Sequence, residues 1–386
     1  MSARIVVVGG GPVGLAFAIA ASRIPGLLVE IVERSAETWA RLPPTVDHRV
    51  YALSPASLAF LNGIDVALDE SRVAPVRAMQ VWGDALDAED NHLELGNGRP
   101  LASIVEHGVL MHALSRRLVA DGVVNLHLGN TPTGMGMDGA QRILRLQDGN
   151  ALSTDLLIAA DGRQSRIRDW AGIAVDAKDY ESDGIVGNFL CEHFHGDVAR
   201  QWFTANGVLA LLPLPGKHVS MVWSVDRKLS NALPADSGAE VVARIESESR
   251  RALGALTIAS PVEKFPLARI TARKWVEPGL ALMGDAAHAV HPLAGQGVNL
   301  GFGDAVAMCQ IIGRQPRFSG IGDVAMLRRY ERSRREAAWA VGEVTDGLHR
   351  LYLSESGAAS WLRNSGLGIF GRLPAAKAVL IDYAAG

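Results

Sequence analysis

Ile5-Val6-Val7-Val8 is a β-branched run that leads straight into Gly9-x-Gly11-x-x-Gly14, and Leu15 to Arg23 continues with helical character. Strand, glycine turn and helix in that order form a βα unit. The first glycine permits the tight turn, the second lets backbone approach a pyrophosphate, and the third lets helix and strand pack closely. The next apolar run, Leu27 to Val32, ends in Glu33-Arg34. That places a carboxylate about 20 residues beyond the glycines, where it can accept hydrogen bonds from a ribose hydroxyl. A lone glycine fingerprint is weak evidence. With its strands and acidic residue in place, it predicts a dinucleotide site whose adenosine half is Gly9, Gly11, Gly14, Glu33 and Arg34.

With 386 residues, 48% of them hydrophobic and 20% charged, the chain can bury cores for two or three domains. A net charge of -3 argues against nucleic acid as the main partner. Cys191 and Cys309 are too few for a disulfide framework and fit a reducing compartment. The start, MSARIVVVGGG, is too short in apolar residues for a signal peptide, and no later run reaches the roughly 18 needed to span a bilayer. A cytoplasmic protein is expected, with peripheral contact to the inner membrane left open.

Farther along, Asp47-His48-Arg49 lies in an irregular stretch before a helix capped by Ser54 or Ser57, and Val73 to Pro100 alternates like a hairpin. Val109 to Ala120 is helical, with Leu110, Leu114 and Leu118 on one face. Leu156 to Ala160 reads as a strand that delivers Asp161-Gly162-Arg163-x-Ser165-x-x-Arg168, where a flexible glycine and two arginines suit a phosphate neighbourhood. From Asp179 to Trp275 strands dominate, apart from a helix over Ala239 to Leu253. Val208 to Leu214 and His218 to Val225 pair around Pro215-Gly216. Trp202, Leu211, Pro213 and Trp223, with Phe203 and Met221, are the candidates to face an apolar substrate pocket, and Arg200 could meet a carboxylate. A last long helix, Met326 to Leu353, has Leu327, Tyr330, Val341, Val344 and Leu348 as its packed stripe. Arg328, Arg329, Arg332, Arg334 and Arg335 give it a basic outer face, by default solvated but able to meet anionic lipid or a dinucleotide phosphate.

The densest stretch is GDAAHAVHPLAGQGVNLGFGD, Gly284 to Asp304. Asp285 follows the strand-like Leu280 to Met283 and can accept from sugar-like hydroxyls. Pro292, Gly295 and Gly297 permit an irregular loop close to a flat ligand. Asn299 to Cys309 then resumes as a helix whose free N–H groups would stabilise negative charge on a flavin's pyrimidine edge.

These three motifs, and the ending GLHRLYLSESGAASWLRNSGLGIFGRLPAAKAVLIDYAAG, resemble the class A flavoprotein monooxygenases and, within them, the ubiquinone-biosynthesis aromatic hydroxylases. The wording His291-Pro292-Leu293-Ala294-Gly295-Gln296-Gly297-x-Asn299 is close to that subfamily's. The resemblance implies an α/β fold: a Rossmann-type FAD-binding domain (1–72, 98–178 and 276–325), an inserted, mostly antiparallel substrate sheet (73–97 and 179–275), and a C-terminal helical region (326–386). It implies FAD held by the residues named above together with Arg49, Asp161, Gly162, Asp285, Pro292, Gly295, Gly297, Val298 and Asn299. NAD(P)H would be a transient electron donor, since no second glycine fingerprint occurs. An arginine that many relatives carry before the 109–120 helix is replaced here by Glu106-His107. The implied reaction is hydroxylation of a phenolic or prenylated aromatic by oxygen, through a flavin hydroperoxide, in ubiquinone biosynthesis. His291 and Pro292 are the catalytic candidates, with His193 a second possible base. His288-x-x-His291 lacks a third ligand, so no metal is expected. A hydroxylase of another small aromatic, a flavin oxidase or dehydrogenase, and a non-catalytic scaffold of a biosynthetic complex stay open as alternatives. Halogenation is not expected, because no W-x-W-x-I-P segment occurs.

Overall fold

The computed structural model describes residues 2–35, 42, 45–83, 93–96, 98–204, 206–233, 238–289, 297–315 and 320–353. The chain opens with β1 (Ala3–Val8), α1 (Pro12–Ser22) and β2 (Leu27–Glu33), the predicted strand, turn and helix. Next come β3 (Val50–Leu53), α2 (Pro55–Gly63), β4 (Val73–Val76), β5 (Ala78–Trp82), β6 (Leu93–Leu95), β7 (Ala102–Glu106) and α3 (His107–Asp121). After them run β8 (Val124–Leu128), β9 (Pro132–Asp138), β10 (Gln141–Leu146), β11 (Ala151–Thr154), β12 (Leu156–Ala159) and α4 (Arg166–Trp170). The inserted part holds β13 (Val175–Cys191), β14 (Val198–Thr204), β15 (Gly207–Pro213), β16 (His218–Asp226), α5 (Arg227–Ala232), α6 (Gly238–Glu248), β17 (Leu256–Ile258) and β18 (Glu263–Ala272). The chain then returns through β19 (Val276–Glu277), β20 (Leu280–Leu282), β21 (His288–Ala289), α7 (Gly297–Gly313) and α8 (Val324–Leu353).

Six strands line up in the order β19-β20-β12-β1-β2-β8, with β20, β12, β1, β2 and β8 parallel. Strands covered on both faces read as unbroken apolar runs, which is why Ile5 to Val8 and Leu156 to Ala159 show no polar alternation. α1, α3 and α7 bury Leu15, Ile19, Leu110, Leu114, Phe302 and Met308 in the same core as these strands.

Nine strands form the second, mostly antiparallel sheet, in which β21-β18-β13-β16-β15-β14-β5-β6 are neighbours and β17 pairs β13. β15 and β16 pair around Pro215-Gly216 as predicted. The hairpin expected over 73–100 is narrower: β5 pairs β6, whereas β4 joins β3 and β7 in a separate three-stranded sheet. Pro75 explains the edge position of β4, since proline cannot donate to a second neighbour. The second sheet also begins earlier than Asp179, because β13 already pairs β18 at Val175. The helix expected to reach Leu253 stops at Glu248, where the Glu246 carboxylate accepts from Leu256 N at 2.9 Å and from Arg251 at 2.8 Å and turns the chain back.

Side chains alternate along each strand, so the second sheet has two distinct faces. Ile185, Phe189, Trp202, Leu209, Leu211, Met221 and Trp223 pack with Leu233 beyond α5 and Val241 and Ile245 of α6. Leu212 belongs to the other face and packs with Ile104, Val50 and Ala52 of the three-stranded sheet.

On α8, Leu327, Tyr330 and Val341 are buried, and Arg328, Arg329, Arg332 and Arg335 are exposed, as the pattern predicts. Arg334 departs from it: its Nε bonds the carboxylate of buried Asp304 at 2.8 Å. The side chains of Val344 and Leu348, and the segment 354–386, lie outside the described residues.

Candidate functional site

The glycine turn sits where β1 meets α1, between β2 and β12. Gly9 has φ +108°, and a Cβ on it would lie 2.2 Å from the Ala160 carbonyl oxygen. A Cβ on Gly14 would lie 2.0 Å from the Gly9 oxygen. Around Gly11, in contrast, nothing lies within 4 Å of such an atom. Two glycines are therefore required by the protein's own packing, and the middle one faces open space. The Glu33 carboxylate accepts from Gly10 N at 2.6 Å and Ser35 N at 2.8 Å, which fixes it beside the turn. Arg34, the next residue, is exposed.

Beyond β12, Asp161 Oδ2 accepts from Ile167 N at 3.2 Å, while its buried Oδ1 has no hydrogen-bond partner. Burial raises its carboxyl above the usual range. Gly162 follows with φ +83°. Arg168 is not free for a phosphate, contrary to the sequence reading: it is 5% exposed and donates to the Arg163 and Ala286 carbonyls at 3.1 and 3.2 Å. It ties this segment to the turn carrying Asp285. Asp285 is exposed, yet surrounding protein raises its pKa through lost hydration, against the lowering pull of His288, Arg49 and Arg163. A Cβ on Gly297 would come 3.8 Å from Asp285 Oδ1, so this carboxylate stands at the N-terminus of α7.

The opposite wall was not visible as a unit in the sequence. The Arg49 guanidinium lies 5.4 Å from the Tyr51 ring centre, and the Tyr51 hydroxyl bonds His107 Nδ1 at 2.9 Å. Burial, followed by Arg49, lowers the His107 pKa to about 4, so the ring is neutral at pH 7. Burial raises the Tyr51 pKa to about 12, so both partners of this bond are neutral at pH 7. Glu106, 1% exposed, is held by Arg72 Nε and Nη2 at 2.7 Å each and accepts from Asp47 N at 2.6 Å. The Asp47 carboxylate in turn accepts from Gly108 N at 3.1 Å in the first turn of α3. Glu106-His107 thus builds the wall's framework.

At the start of α7, Gly297 and Val298 lie in the first turn. Asn299 is occupied by protein: its Oδ1 accepts from Ser54 N at 3.1 Å and Ser57 Oγ at 2.7 Å, and its Nδ2 donates to Ala52 O at 2.9 Å. It staples α7 to the start of α2, whose cap is Ser54. Farther along α7, Asp304, 0% exposed, accepts from Gly284 N at 3.0 Å, His288 Nε2 at 2.6 Å and Arg334 Nε at 2.8 Å. Burial pushes its carboxyl up, but His288 and Arg334 outweigh that and hold it below the usual value. An acid one turn beyond Leu300, on the buried side of a helix, was the signal that the sequence offered for it. His291, Pro292 and Gly295 lie outside the described residues.

Trp202, Leu211, Pro213 and Trp223 are not on the sheet face that packs against the three-stranded sheet. Each has the strand parity of the helix-covered face, where Trp202, Leu211 and Trp223 share a closed core with α6. Hydrophobicity alone could not separate the faces, because both are apolar. Ala210, Leu212 and Val222, of opposite parity, are only partly buried. His193 is exposed, and Arg200 donates to the His195 carbonyl at 2.8 Å.

An open cradle at Gly11, the fixed Glu33, the unpartnered Asp161 oxygen and an accessible acid at the α7 N-terminus fit an elongated ligand with a pyrophosphate and sugar-like hydroxyls. Comparisons agree. A family model described as "FAD binding domain" matches residues 2–345. The chain is 32% identical over 395 residues to 3-demethoxyubiquinol 3-hydroxylase of Escherichia coli, covering 99% of this chain and 98% of the relative. It is 31% identical over 414 residues to the mitochondrial ubiquinone biosynthesis monooxygenase COQ6 of Homo sapiens, covering 94% and 88%. Among solved structures, p-nitrophenol 4-monooxygenase of Pseudomonas putida DLL-E4 aligns with a TM-score of 0.78 at 17% identity, covering 100% and 98%.

Proposed function

The chain belongs to the FAD-binding domain family of class A flavoprotein monooxygenases, and from that premise we propose that it hydroxylates a phenolic or prenylated aromatic intermediate of ubiquinone biosynthesis. The observation that carries this reading is the match to the E. coli hydroxylase over 98% of that relative's length. In this reading the six-stranded sheet with α1, α3 and α7 is the cofactor unit, and the nine-stranded sheet is the substrate unit.

Bound FAD supplies the electron-carrying and oxygen-activating chemistry, with NAD(P)H as the transient donor. The protein's own task is placement and electrostatics. Backbone at Gly11 would approach the pyrophosphate, with Gly9 and Gly14 allowing the turn and its close packing, and Glu33 would take the adenosine ribose by sharing its lone pairs between Gly10 N and a hydroxyl. Asp161 and Gly162 flank the phosphates, and Asp285 accepts from the ribityl chain. Arg49 and the first turn of α7, Gly297 and Val298, put positive potential beside the flavin ring. Asn299 contributes by holding that turn in position. His291 and Pro292 are proposed to border the reacting ring.

Asp285→Ala deletes a charge-assisted acceptor worth about 1.5 to 3 kcal/mol. FAD affinity, followed by flavin fluorescence, is expected to fall roughly tenfold to a hundredfold. Unchanged affinity would assign the carboxylate another role.

The substrate class is tested by comparing a simple phenol with a prenylated one while donor consumption, peroxide and hydroxylated product are measured together. Each buried methylene contributes about 0.8 kcal/mol, so the prenyl chain dominates binding. The prenylated phenol is expected to couple donor oxidation to hydroxylation, and the tail-less one to release peroxide. Full coupling on a small polar aromatic, with no benefit from the chain, would remove the quinone-pathway reading and leave the monooxygenase. Among the described residues no helix is long and apolar enough to cross a membrane. The exposed arginines of α8 beside Trp339, itself 62% exposed, are the surface proposed for peripheral contact with anionic lipid.

A further inference from the structure

Asp47-His48-Arg49 is held from two sides. On the cofactor side, Asp47 N donates to the Glu106 carboxylate at 2.6 Å, the Asp47 carboxylate accepts from Gly108 N at 3.1 Å and Arg49 N at 3.0 Å, and the Arg49 carbonyl accepts from His107 N at 2.8 Å. From the nine-stranded sheet, Asn188 Nδ2 on β13 donates to the Asp47 carbonyl at 2.8 Å, and His48 Nε2 lies 3.2 Å from the Glu263 carboxylate at the start of β18. These two outer links are unequal. His48 and Glu263 are both partly exposed, and a solvated pair of this kind contributes little. Asn188 is 0% exposed, so water does not compete for its bond.

Asn188 is itself fixed by the sheet. Its N donates to Ser260 Oγ at 2.9 Å, its carbonyl accepts from Ala259 N at 2.8 Å, and it stands opposite Ser220 of β16 in antiparallel register. A carbonyl only accepts, so the NH2 group of the amide faces Asp47. The buried Oδ1 has no partner among the described residues, which leaves the contact with Asp47 as what this side chain provides. An apolar side chain of the same size would spare the sheet that unpaired oxygen and would leave the Asp47 carbonyl without this donor.

Arg49, at the end of the segment, is exposed, with its guanidinium against Tyr51 and close enough to Asp285 to favour the ionised carboxylate. No ion pair among the described residues fixes that guanidinium. Its place is therefore set by the backbone of 47–49. We propose that Asn188 is a positioning residue for the cofactor: from the substrate sheet it holds the Asp47 carbonyl and thereby sets the Arg49 guanidinium beside the flavin. The proposal rests on the placement of Arg49 in the monooxygenase reading and deepens it, because it makes one strand of the substrate unit part of the flavin's electrostatic surroundings.

A double-mutant cycle between Asn188 and Arg49 tests this, with the FAD dissociation constant and the reduction potential of the bound flavin as readouts. Asn188→Leu keeps the volume and Asn188→Ala avoids strain, so the second variant serves if the first does not fold. Each is expected to lower FAD affinity about threefold to tenfold and to make the potential more negative, as Arg49→Ala does, since less positive charge then stands beside the reduced ring. In the Arg49→Ala background, the same substitutions are expected to change neither quantity. Equal losses with and without the Arg49 guanidinium would assign Asn188 to general packing and overturn the proposal, as would unchanged affinity and potential in the single Asn188 variants. Wild-type affinity and potential in Arg49→Ala would overturn both the placement of Arg49 and the proposal. A non-additive cycle in a protein that hydroxylates no phenol would refute the monooxygenase reading and leave the tether standing.

Discussion

Gly11→Val is expected to yield a folded, colourless protein. Nothing lies within 4 Å of a Cβ at this position, so the side chain enters the open space that a pyrophosphate would occupy rather than another part of the protein. FAD affinity should fall about a hundredfold or more, roughly 2.7 kcal/mol, with the circular dichroism spectrum and urea midpoint of the apoprotein unchanged. Gly14→Ala is the contrasting variant. Its Cβ would lie 2.0 Å from the Gly9 oxygen, which forces β1 and α1 apart and should remove soluble protein. The pair separates ligand clearance from packing within one motif. A yellow Gly11→Val protein with wild-type affinity would place the cofactor elsewhere.

Arg334→Ala is expected to destabilise the apoprotein by about 3 to 5 kcal/mol, because it leaves the fully buried Asp304 carboxylate without its guanidinium and removes the added bond from Nη2 to the Leu300 carbonyl at 3.1 Å. Arg332→Ala, an exposed neighbour on the same helix, should change stability by no more than about 0.5 kcal/mol. Urea unfolding of both variants at pH 7 makes the comparison. Similar midpoints would mean that His288 and Gly284 alone sustain the Asp304 charge. The expected difference would make α8 a support of the cofactor site without touching the cofactor, since Asp304 also holds Gly284 N, next to Asp285.

The same arginine marks how far sequence reading carries. Strand, glycine turn and helix at 3–22 are determined by neighbours within about 20 residues, and the chain states them outright. Arg334 on a polar helix has solvent as its default partner, and only the fold brings Asp304, 30 residues away, against it. Trp202, Leu211, Pro213 and Trp223 went to the wrong side for another reason. A strand fixes alternation but not which alternate set faces a ligand when both faces are covered. Which strands become partners is likewise set by a register that no local pattern determines. The Tyr51, His107 and Arg49 wall shares this origin, because β3 and β7 become neighbours only through the sheet they form.

The strand order of the six-stranded sheet also has a bearing on biosynthesis. β12, buried along its whole length, has β1 on one side and β20 on the other, and about 120 residues of insert separate β12 from β20 in the chain. At about 5 to 20 residues per second, a ribosome extends the nascent chain for roughly 6 to 24 s with that apolar edge unpaired. Through the same interval the inserted antiparallel strands emerge and can pair locally, while the N-terminal half waits for β20 and α7. Chains interrupted before Leu280 would therefore present an open edge to one another, and their yield should depend on a chaperone far more than that of the finished polypeptide.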